Sequence, residues 1–331
     1  MKTTKAVIVI VIVVVSILSY FYFQFEPKDL VQFGLNFSVP HAQYLGFDWK
    51  TLYLDVLNDL KPKKIRLMAY WDMIEPMKDK FDFQIMDEML IEAGKQGIDV
   101  ILVVGRKQPR WPECHEPKWV RELDSETEKE NAQVRMIERA VGHFRQFSAI
   151  KVWQVENEPL FEFGYECPKL GEELVRREIE AVKGLDARPV LLTDSGEKGA
   201  WVATAKLGAD MFGSTMYRTV YQPRLGYYQY PLPSFFYRIR AGWLKKFTGI
   251  EKVIGVELQA EPWFREGIEK TALSDQLSLM NPKVFERNIT YAKKVGFEEN
   301  YLWGVEWWYW LAHKHNDWGM WEEAKSLLTQ N

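Results

Sequence analysis

The sequence predicts an α/β protein that folds as a (β/α)8 barrel (a TIM barrel), preceded by an N-terminal transmembrane helix. Eight short apolar runs alternate with amphipathic segments along the chain, which is the pattern of a parallel sheet. Polar and aromatic residues cluster directly after the runs, where a barrel carries its functional groups. An uncharged N-terminal run is long enough to cross a bilayer.

The predicted elements follow one another without a linker or an internal repeat. The strands are predicted at 31–38, 64–70, 100–104, 150–155, 190–194, 211–216, 252–256 and 301–305. Helices are predicted at about 49–60, 84–96, 125–144, 234–247, 282–295 and 320–328. A doubly wound open sheet is the alternative fold, but it calls for a glycine-rich phosphate loop after the first strand, and the sequence has none there.

The composition fits one large domain, which we place at 31–331. The net charge is −3 at pH 7 and the basic residues are spread along the chain, so a nucleic-acid partner is not predicted. The histidines and cysteines lack the spacing of metal ligands, and neither a metal nor a cofactor is predicted. The 14 tryptophans suit binding to sugar faces, although many of these rings must belong to the core.

The N-terminus predicts association with a membrane. Residues 1–5 form a cytoplasmic, positively charged region, and residues 6–25 form an uncharged run rich in Val and Ile. The alternative to a transmembrane anchor is a cleaved signal sequence, although no A-x-A-like cleavage site is present. The expected location of the barrel is therefore extracytoplasmic, either anchored to the membrane or secreted if the segment is cleaved.

Cys114 and Cys167 are the two cysteines of the chain, and both follow predicted strand ends. In an oxidising compartment such a pair is able to form a disulfide. The alternative is two free thiols.

The most informative stretch is 149–164, which starts as a buried strand and stops at Glu156-Asn157-Glu158-Pro159. Pro159 cannot donate a hydrogen bond to a neighbouring strand, so the strand must end there. In parallel α/β proteins the ligands bind at the carboxyl ends of the strands. A surface turn is the simpler interpretation, since Asn, Glu and Pro are common in turns.

A strand followed by Asn157-Glu158-Pro159 resembles the acid/base signature of the clan A glycoside hydrolases, which are retaining barrel enzymes and include cellulases, mannanases and β-galactosidases. The resemblance implies that Glu158 is the proton donor and that Asn157 binds the 2-hydroxyl of the sugar. The nucleophile of the clan lies at the end of the seventh strand, and Glu257 matches that position. Glu261, four residues later and in a loop, is the weaker candidate.

Further positions match the site of the clan. Arg66, on the second strand, matches an arginine that holds the nucleophile; a salt bridge to a loop acid is the alternative. Tyr217, after the sixth strand, matches a tyrosine that hydrogen-bonds the nucleophile. Either Trp307 or Trp308, after the eighth strand, is expected to floor the first sugar subsite, and the unknown register leaves the choice between them open.

The run from Arg66 through Trp71 to residue 83 also resembles the β-galactosidase branch of the clan, although no single family is matched closely. Trp71, Trp111 and Trp263 are added as candidates for binding sugar. Trp111 lies in the loop after the third strand and Trp263 in the loop after the seventh, where a tryptophan can equally be a packing lid.

These residues predict a retaining glycoside hydrolase that acts on β-linked oligo- or polysaccharide by double displacement. Glu257 is expected to attack the anomeric carbon while Glu158 protonates the leaving oxygen. One alternative is a catalytically inactive carbohydrate-binding barrel, and another is an envelope-glycan transglycosylase. The expected partners are a carbohydrate substrate and, through the N-terminal helix, a membrane.

Overall fold

A computed structural model describes residues 30–329, together with residues 7, 11, 12 and 16. Eight parallel strands close into a barrel in chain order, and the last strand pairs with the first. The strands are β1 (Gln32–Phe37), β2 (Lys64–Met68), β3 (Asp99–Val104), β4 (Ile150–Val155), β5 (Val190–Asp194), β6 (Met211–Met216), β7 (Lys252–Gln259) and β8 (Glu299–Trp303). The predicted (β/α)8 barrel is confirmed.

Helices connect the strands and cover the outside of the barrel. They are Val39–Tyr44, Trp49–Asp55 (continued by the π-helical turn Val56–Leu60), Trp71–Ile74, Gln84–Lys95, Lys118–Arg121, Glu126–Phe144, Glu172–Leu185, Trp201–Ala205, Ser234–Thr248, Leu273–Leu279, Pro282–Val295, Val305–His315 and Gly319–Thr329, with a 3-10 turn at Ile268–Lys270. A hairpin of two antiparallel strands, Thr219–Gln222 and Gly226–Gln229, follows β6. Each of the six predicted helices is present.

Two layers of apolar side chains hold the barrel together. The larger layer lies between the strands and the helices and includes Leu67 and Trp153. The smaller layer fills the inside of the barrel and includes Ile101, Leu191 and Tyr301. Because successive strand residues alternate between the two layers, polar residues at the inward positions near the carboxyl ends of the strands point into the barrel mouth.

The eighth strand ends earlier than the sequence predicts. Gly304 has a φ of 139°, a conformation that favours glycine, and a helix begins at Val305. Trp307 and Trp308 therefore lie in this helix, and both are fully buried (0% exposed) in the outer core layer. Neither ring offers a free face to a sugar, because the strand that was expected to present them has already ended.

The predicted membrane segment, residues 6–25, lies outside the described residues apart from positions 7, 11, 12 and 16. In the part of the chain that the structure describes, no helix has both the length and the apolar character needed to cross a bilayer. Leu30 leads into β1 at the amino-terminal end of the barrel, opposite the mouth.

Candidate active site

A β-bulge in β7 directs Glu257 into the barrel. The pairing of β7 with β6 skips one residue, Val256, between Gly255 and Glu257. Val256 belongs to the inner apolar layer and Leu258 to the outer one, so the side chains of Val256 and Glu257 both point inward. A bulge of this kind re-aims a side chain at the rim of a barrel, here a carboxylate.

Two side chains hold the Glu257 carboxylate. Arg66 Nη1 donates to one oxygen and the Tyr217 hydroxyl donates to the other, each at 2.9 Å. The side chain of Arg66 is 0% exposed and that of Glu257 is 6% exposed. Charge-assisted hydrogen bonds in such a buried place fix the carboxylate in one orientation, which a nucleophile needs.

Arg66 is held in turn by three amide side chains. Its Nε donates to Gln154 Oε1 at 2.8 Å, its Nη1 to Asn36 Oδ1 at 2.9 Å and its Nη2 to Asn157 Oδ1 at 3.0 Å. One guanidinium therefore connects the nucleophile candidate, Glu257, with residues at β1 and β4. The structure places Arg66 against this glutamate and not against a loop acid.

Glu158 lies where the chain turns sharply at the end of β4. Glu156 and Glu158 have φ values of 57° and 45°, in the left-handed region that residues other than glycine rarely adopt. The Glu158 N–H donates to Thr193 Oγ1 at 2.9 Å, and Thr215 Oγ1 donates to the Glu158 carboxyl at 3.2 Å. Because Thr215 pairs with Glu257 across β6 and β7, it brings the Glu158 carboxyl close enough to Glu257 for the two charges to interact.

The two carboxyls have different surroundings. Burial raises the pKa of Glu158 well above its ordinary value, and the nearby charge of Glu257 raises it further. A carboxyl that keeps its proton near neutral pH can protonate a leaving group, whereas a carboxylate held by a guanidinium can attack. This is the division of roles that double displacement requires.

A third carboxyl, Glu113, lies beside this pair and was not predicted from the sequence. Asn157 Nδ2 donates to the Glu113 carboxyl at 3.3 Å. Glu113 is 8% exposed, and burial together with the charge of Glu257 raises its pKa to about 8. Loop residues show no periodicity that could indicate a site. The one sequence signal for Glu113 was its position next to Cys114, which is a candidate for a disulfide near a strand end.

The loop after β3 (105–117) and the loop after β4 (156–171) are joined by a disulfide between Cys114 and Cys167, which decides between the two alternatives that the sequence left open. We call them the stapled loops. Gly164 has a φ of 110°, and a Cβ there would lie 2.5 Å from a carbonyl oxygen of the other loop. The disulfide and this close contact hold Glu113 and Glu158 in one unit, since each stands on one of the two loops.

Replacing Cys114 and Cys167 together by serine is expected to lower the free energy of unfolding by about 2–4 kcal/mol, because the disulfide links residues 53 positions apart and restricts the unfolded chain. Thermal unfolding of the wild type and the double variant, each with and without a reductant, measures the effect. The reductant should destabilise the wild type alone. Equal sensitivity of the two proteins to the reductant would contradict the assignment.

Glu156 secures the first stapled loop from below. Its carboxylate accepts two backbone N–H groups of that loop, each at 2.6 Å. Gly105 leaves room for this contact, since a Cβ there would lie 2.2 Å from the carboxylate. The Gln133 amide donates to Glu156 at 3.0 Å and also to Glu178, so a buried network joins the loop to two helices.

Glu178→Gln is expected to make stability less dependent on pH. Burial raises the pKa of Glu178 well above the ordinary 4.5, and burial raises that of Glu156 to about 7. Carboxyls with a raised folded-state pKa stabilise the fold fully below about pH 4.5 and lose this contribution as the pH rises through the folded-state pKa. Glutamine keeps the hydrogen bonds without ionising, so we expect a melting temperature higher by a few degrees at pH 8 and little changed at pH 5.

The exposed variant Glu122→Gln is the matched control, because it removes a charge outside the network. Its melting temperature should follow that of the wild type at both pH values. A Glu178→Gln effect of the same size at pH 5 and pH 8 would contradict the role of ionisation.

Arg110 of the first stapled loop reaches the opposite side of the mouth. Its guanidinium donates to the carboxylates of Glu261 and Glu306, the latter at 2.8 Å, and lies 4.0 Å over the ring of Trp303. Glu261, the weaker candidate for the nucleophile, is therefore engaged in an ion pair with this arginine. Trp303, the last residue of β8, is 6% exposed and lies beneath this guanidinium.

The other predicted tryptophans lie in different environments. Trp71 is fully buried and donates to a glutamate of the core at 2.8 Å. Trp111 is 67% exposed on the first stapled loop, with Tyr165 of the second loop 6.4 Å away between ring centroids. Trp263 packs edge-on against Tyr217 at 5.3 Å. The structure thus brings Trp263 against Tyr217, which holds Glu257, places Trp111 on the stapled loops and leaves Trp71 in the core.

Comparison with known families agrees with the predicted resemblance. Residues 58–138 match the Glyco_hydro_42 family model, which is described as Beta-galactosidase. The match covers less than half of the chain; it includes Arg66 and Glu113 and ends before Glu158. It also covers the run that resembles the β-galactosidase branch in the sequence. No curated protein matches the chain.

Solved structures share the barrel at low sequence identity. GH5_18 from Bifidobacterium longum has a TM-score of 0.60 at 13% identity, over 83% of this chain and 70% of that one. Xylanase 10B from Thermotoga petrophila, in complex with xylobiose, has a TM-score of 0.57 at 16% identity, over 91% of this chain and 94% of that one. Endo-glycoceramidase II from Rhodococcus, as a lactosyl-enzyme intermediate, has a TM-score of 0.54 at 15% identity, over 82% of this chain and 73% of that one.

Identities this low show a shared fold alone. Taken with the family-model match, they confirm the resemblance to the clan A glycoside hydrolases and support a glycosidase, while no single family is matched closely.

Proposed function

We propose that this chain is a retaining glycosidase that hydrolyses β-linked oligo- or polysaccharide by double displacement. The observation that carries the proposal is the contrast between two carboxyls at one barrel mouth. Glu257 is held by Arg66 and Tyr217, and Glu158 is buried with a raised pKa. Such a contrast separates a nucleophile from a general acid.

In the first step a Glu257 oxygen bonds to the anomeric carbon while the bond from that carbon to the leaving oxygen breaks. Glu158 gives its proton to the leaving oxygen. The new ester removes the negative charge of Glu257, which had raised the pKa of Glu158, so this pKa falls. In the second step Glu158 takes a proton from water, the water oxygen displaces Glu257, and the sugar leaves with its original configuration.

The first substrates to test are aryl β-glycosides of several sugars. The matched family model is described as Beta-galactosidase, xylanase 10B is bound to xylobiose, and a GH5_18 variant from Streptomyces cattleya is bound to Manb1-4GlcNAc. β-Galactosides, β-xylosides and β-mannosides therefore come first, and oligosaccharides of the sugar that reacts should follow.

Proton NMR of the first product tests the mechanism. Retention predicts that a β-glycoside releases the β-hemiacetal before mutarotation, and α product first would contradict double displacement. Absence of turnover on every glycoside would favour the inactive carbohydrate-binding barrel. Products longer than the substrate, formed when acceptor sugars are added, would favour transglycosylation.

The barrel is proposed to act outside the cytoplasm, either anchored through residues 6–25 or secreted after cleavage. The uncharged character of that segment and the Cys114–Cys167 disulfide support this location, because disulfides persist in oxidising compartments. Blotting the membrane, soluble and supernatant fractions of cells that express the full chain distinguishes the two cases. Recovery of the protein from the cytoplasm with reduced cysteines would contradict both.

A further inference from the structure

We infer that Glu113 is a third substrate-binding carboxyl, which hydrogen-bonds a hydroxyl at carbon 2 or carbon 3 of the sugar ring held between Glu158 and Glu257. The inference rests on the proposed glycosidase function and deepens it. It names the substrate class as glycosides whose ring carries free hydroxyls along that edge.

The position of Glu113 follows from the hydrogen bonds of Asn157. Asn157 Oδ1 accepts from Arg66 at 3.0 Å and from Thr193 at 3.2 Å, which fixes the amide so that Nδ2 faces Glu113. One of the two N–H groups of Nδ2 is directed to Glu113; the other has no acceptor among residues 30–329 and is open to a ligand. The resemblance assigns the sugar 2-hydroxyl to Asn157, and on that assignment the Glu113 carboxyl, which accepts from Asn157, faces carbons 2 and 3.

The side chain of Glu113 has capacity left for a ligand. Within the described part of the chain, its side-chain hydrogen bond is the one to Asn157, and 3.3 Å is long for an N–H donor. An ionised carboxyl group has about four acceptor positions, so one bond from Asn157 leaves most of this capacity unused. Glu113 is 8% exposed and faces the carboxyl pair, so a sugar hydroxyl would supply the missing partner.

The backbone of Glu113 is held as a binding residue needs to be. Its φ of 76° lies in the left-handed region, and strained conformations at non-glycine residues cluster at functional sites. Its N–H donates to the carbonyl of Arg110 at 2.8 Å, and the neighbouring Cys114 is in the disulfide. The stapled loops therefore present this carboxyl at a fixed place beside Glu158.

The charge around Glu113 also suits a neutral hydroxyl. Burial and the charge of Glu257 raise its pKa to about 8, while Lys107 and Arg66 act in the opposite direction. A raised pKa favours the protonated carboxyl, which both donates and accepts, and this matches the hydrogen-bonding capacity of a sugar hydroxyl.

The test is a double-mutant-type cycle: a substitution of Glu113 in the enzyme is combined with removal of one hydroxyl from the substrate. kcat/KM is measured for the wild type, Glu113→Ala and Glu113→Gln on the best aryl glycoside and on its 2-deoxy and 3-deoxy analogues. We expect Glu113→Ala to lower kcat/KM about tenfold or more on the full substrate and by less than about twofold on one deoxy analogue, because the lost partner is then already absent. Glu113→Gln, which keeps the volume and can still accept from Asn157, should show the same coupling to a smaller extent.

Equal losses on all three substrates would overturn the inference, since a residue that merely supports Asn157 or the fold does not sense a single hydroxyl. Melting temperatures and the exposed control Glu122→Gln separate misfolding from a loss of binding. If the wild type turns over no glycoside, the proposed function itself fails. If the wild type turns over a glycoside but the loss in Glu113→Ala does not depend on the 2- or 3-hydroxyl, the role of Glu113 is wrong and the proposed function stands.

Discussion

Glu257→Gln is expected to lower turnover by about 10⁴-fold or more, because an amide cannot form the glycosyl ester on which both steps depend. Glutamine fills the same space: its carbonyl oxygen can accept from Arg66, and its amide N–H can donate to the Tyr217 hydroxyl oxygen, so binding of substrate should change far less than kcat. Steady-state kinetics on an aryl glycoside measures the loss. Mass spectrometry after incubation with a 2-fluoro glycoside should find the label on Glu257 in the wild type and no label in the variant.

Glu261→Gln provides the internal comparison. Glu261 is bonded to Arg110, so its replacement should lower stability through the ion pair more than it lowers kcat. A larger loss of kcat in Glu261→Gln than in Glu257→Gln, or a label on Glu261, would mean that the nucleophile has been misassigned.

Glu158→Ala is expected to separate substrates by their leaving group. With a poor leaving group, kcat/KM should fall about 10²–10⁴-fold, because the bond to the leaving oxygen then breaks without a proton donor. With an activated aryl leaving group the first step needs little protonation, so slow turnover should remain, limited by the attack of water. Added azide should restore the rate and give a β-glycosyl azide, since an anionic nucleophile needs no general base.

Rates on the two classes of leaving group are measured in the same preparation, with Glu122→Gln as the control. An equal loss on both classes together with no response to azide would show that Glu158 does not transfer the proton. Thr215 and Thr193 would then deserve the next substitutions, because they position the turn that carries Glu158.

Much of the barrel was predictable because its signals are local. The apolar runs at β5 and β6 have the predicted bounds, since turn residues flank each run. The position of Glu158 could be predicted in the same way, because Pro159 fixes the end of β4. Arg66 and Tyr217 were named through the resemblance, and the structure brings both to Glu257.

The features that were missed depend on backbone geometry rather than on residue pattern. Apart from Gly304 and Glu306 the run 301–310 is apolar or aromatic, so periodicity cannot tell the strand from the helix that follows it, and Gly304 marks the change. The bulge at Val256 leaves no mark in composition, yet without it Glu257 would point away from the barrel interior. Glu113 belongs to a loop, where no periodic signal exists.

The residues of the mouth come from two separate parts of the structure, the barrel strands and the stapled loops. Glu257 and its holders Arg66 and Tyr217 belong to, or directly follow, strands of the rigid barrel, whereas Glu113 and Glu158 belong to the disulfide-linked loops. A protein engineer could therefore exchange the two loops as one cassette and change the sugars that are accepted while the nucleophile stays in place. Exchange of one loop alone would leave a cysteine without its partner. We therefore expect substrate range to depend on a module of two segments that are distant in sequence and must change together.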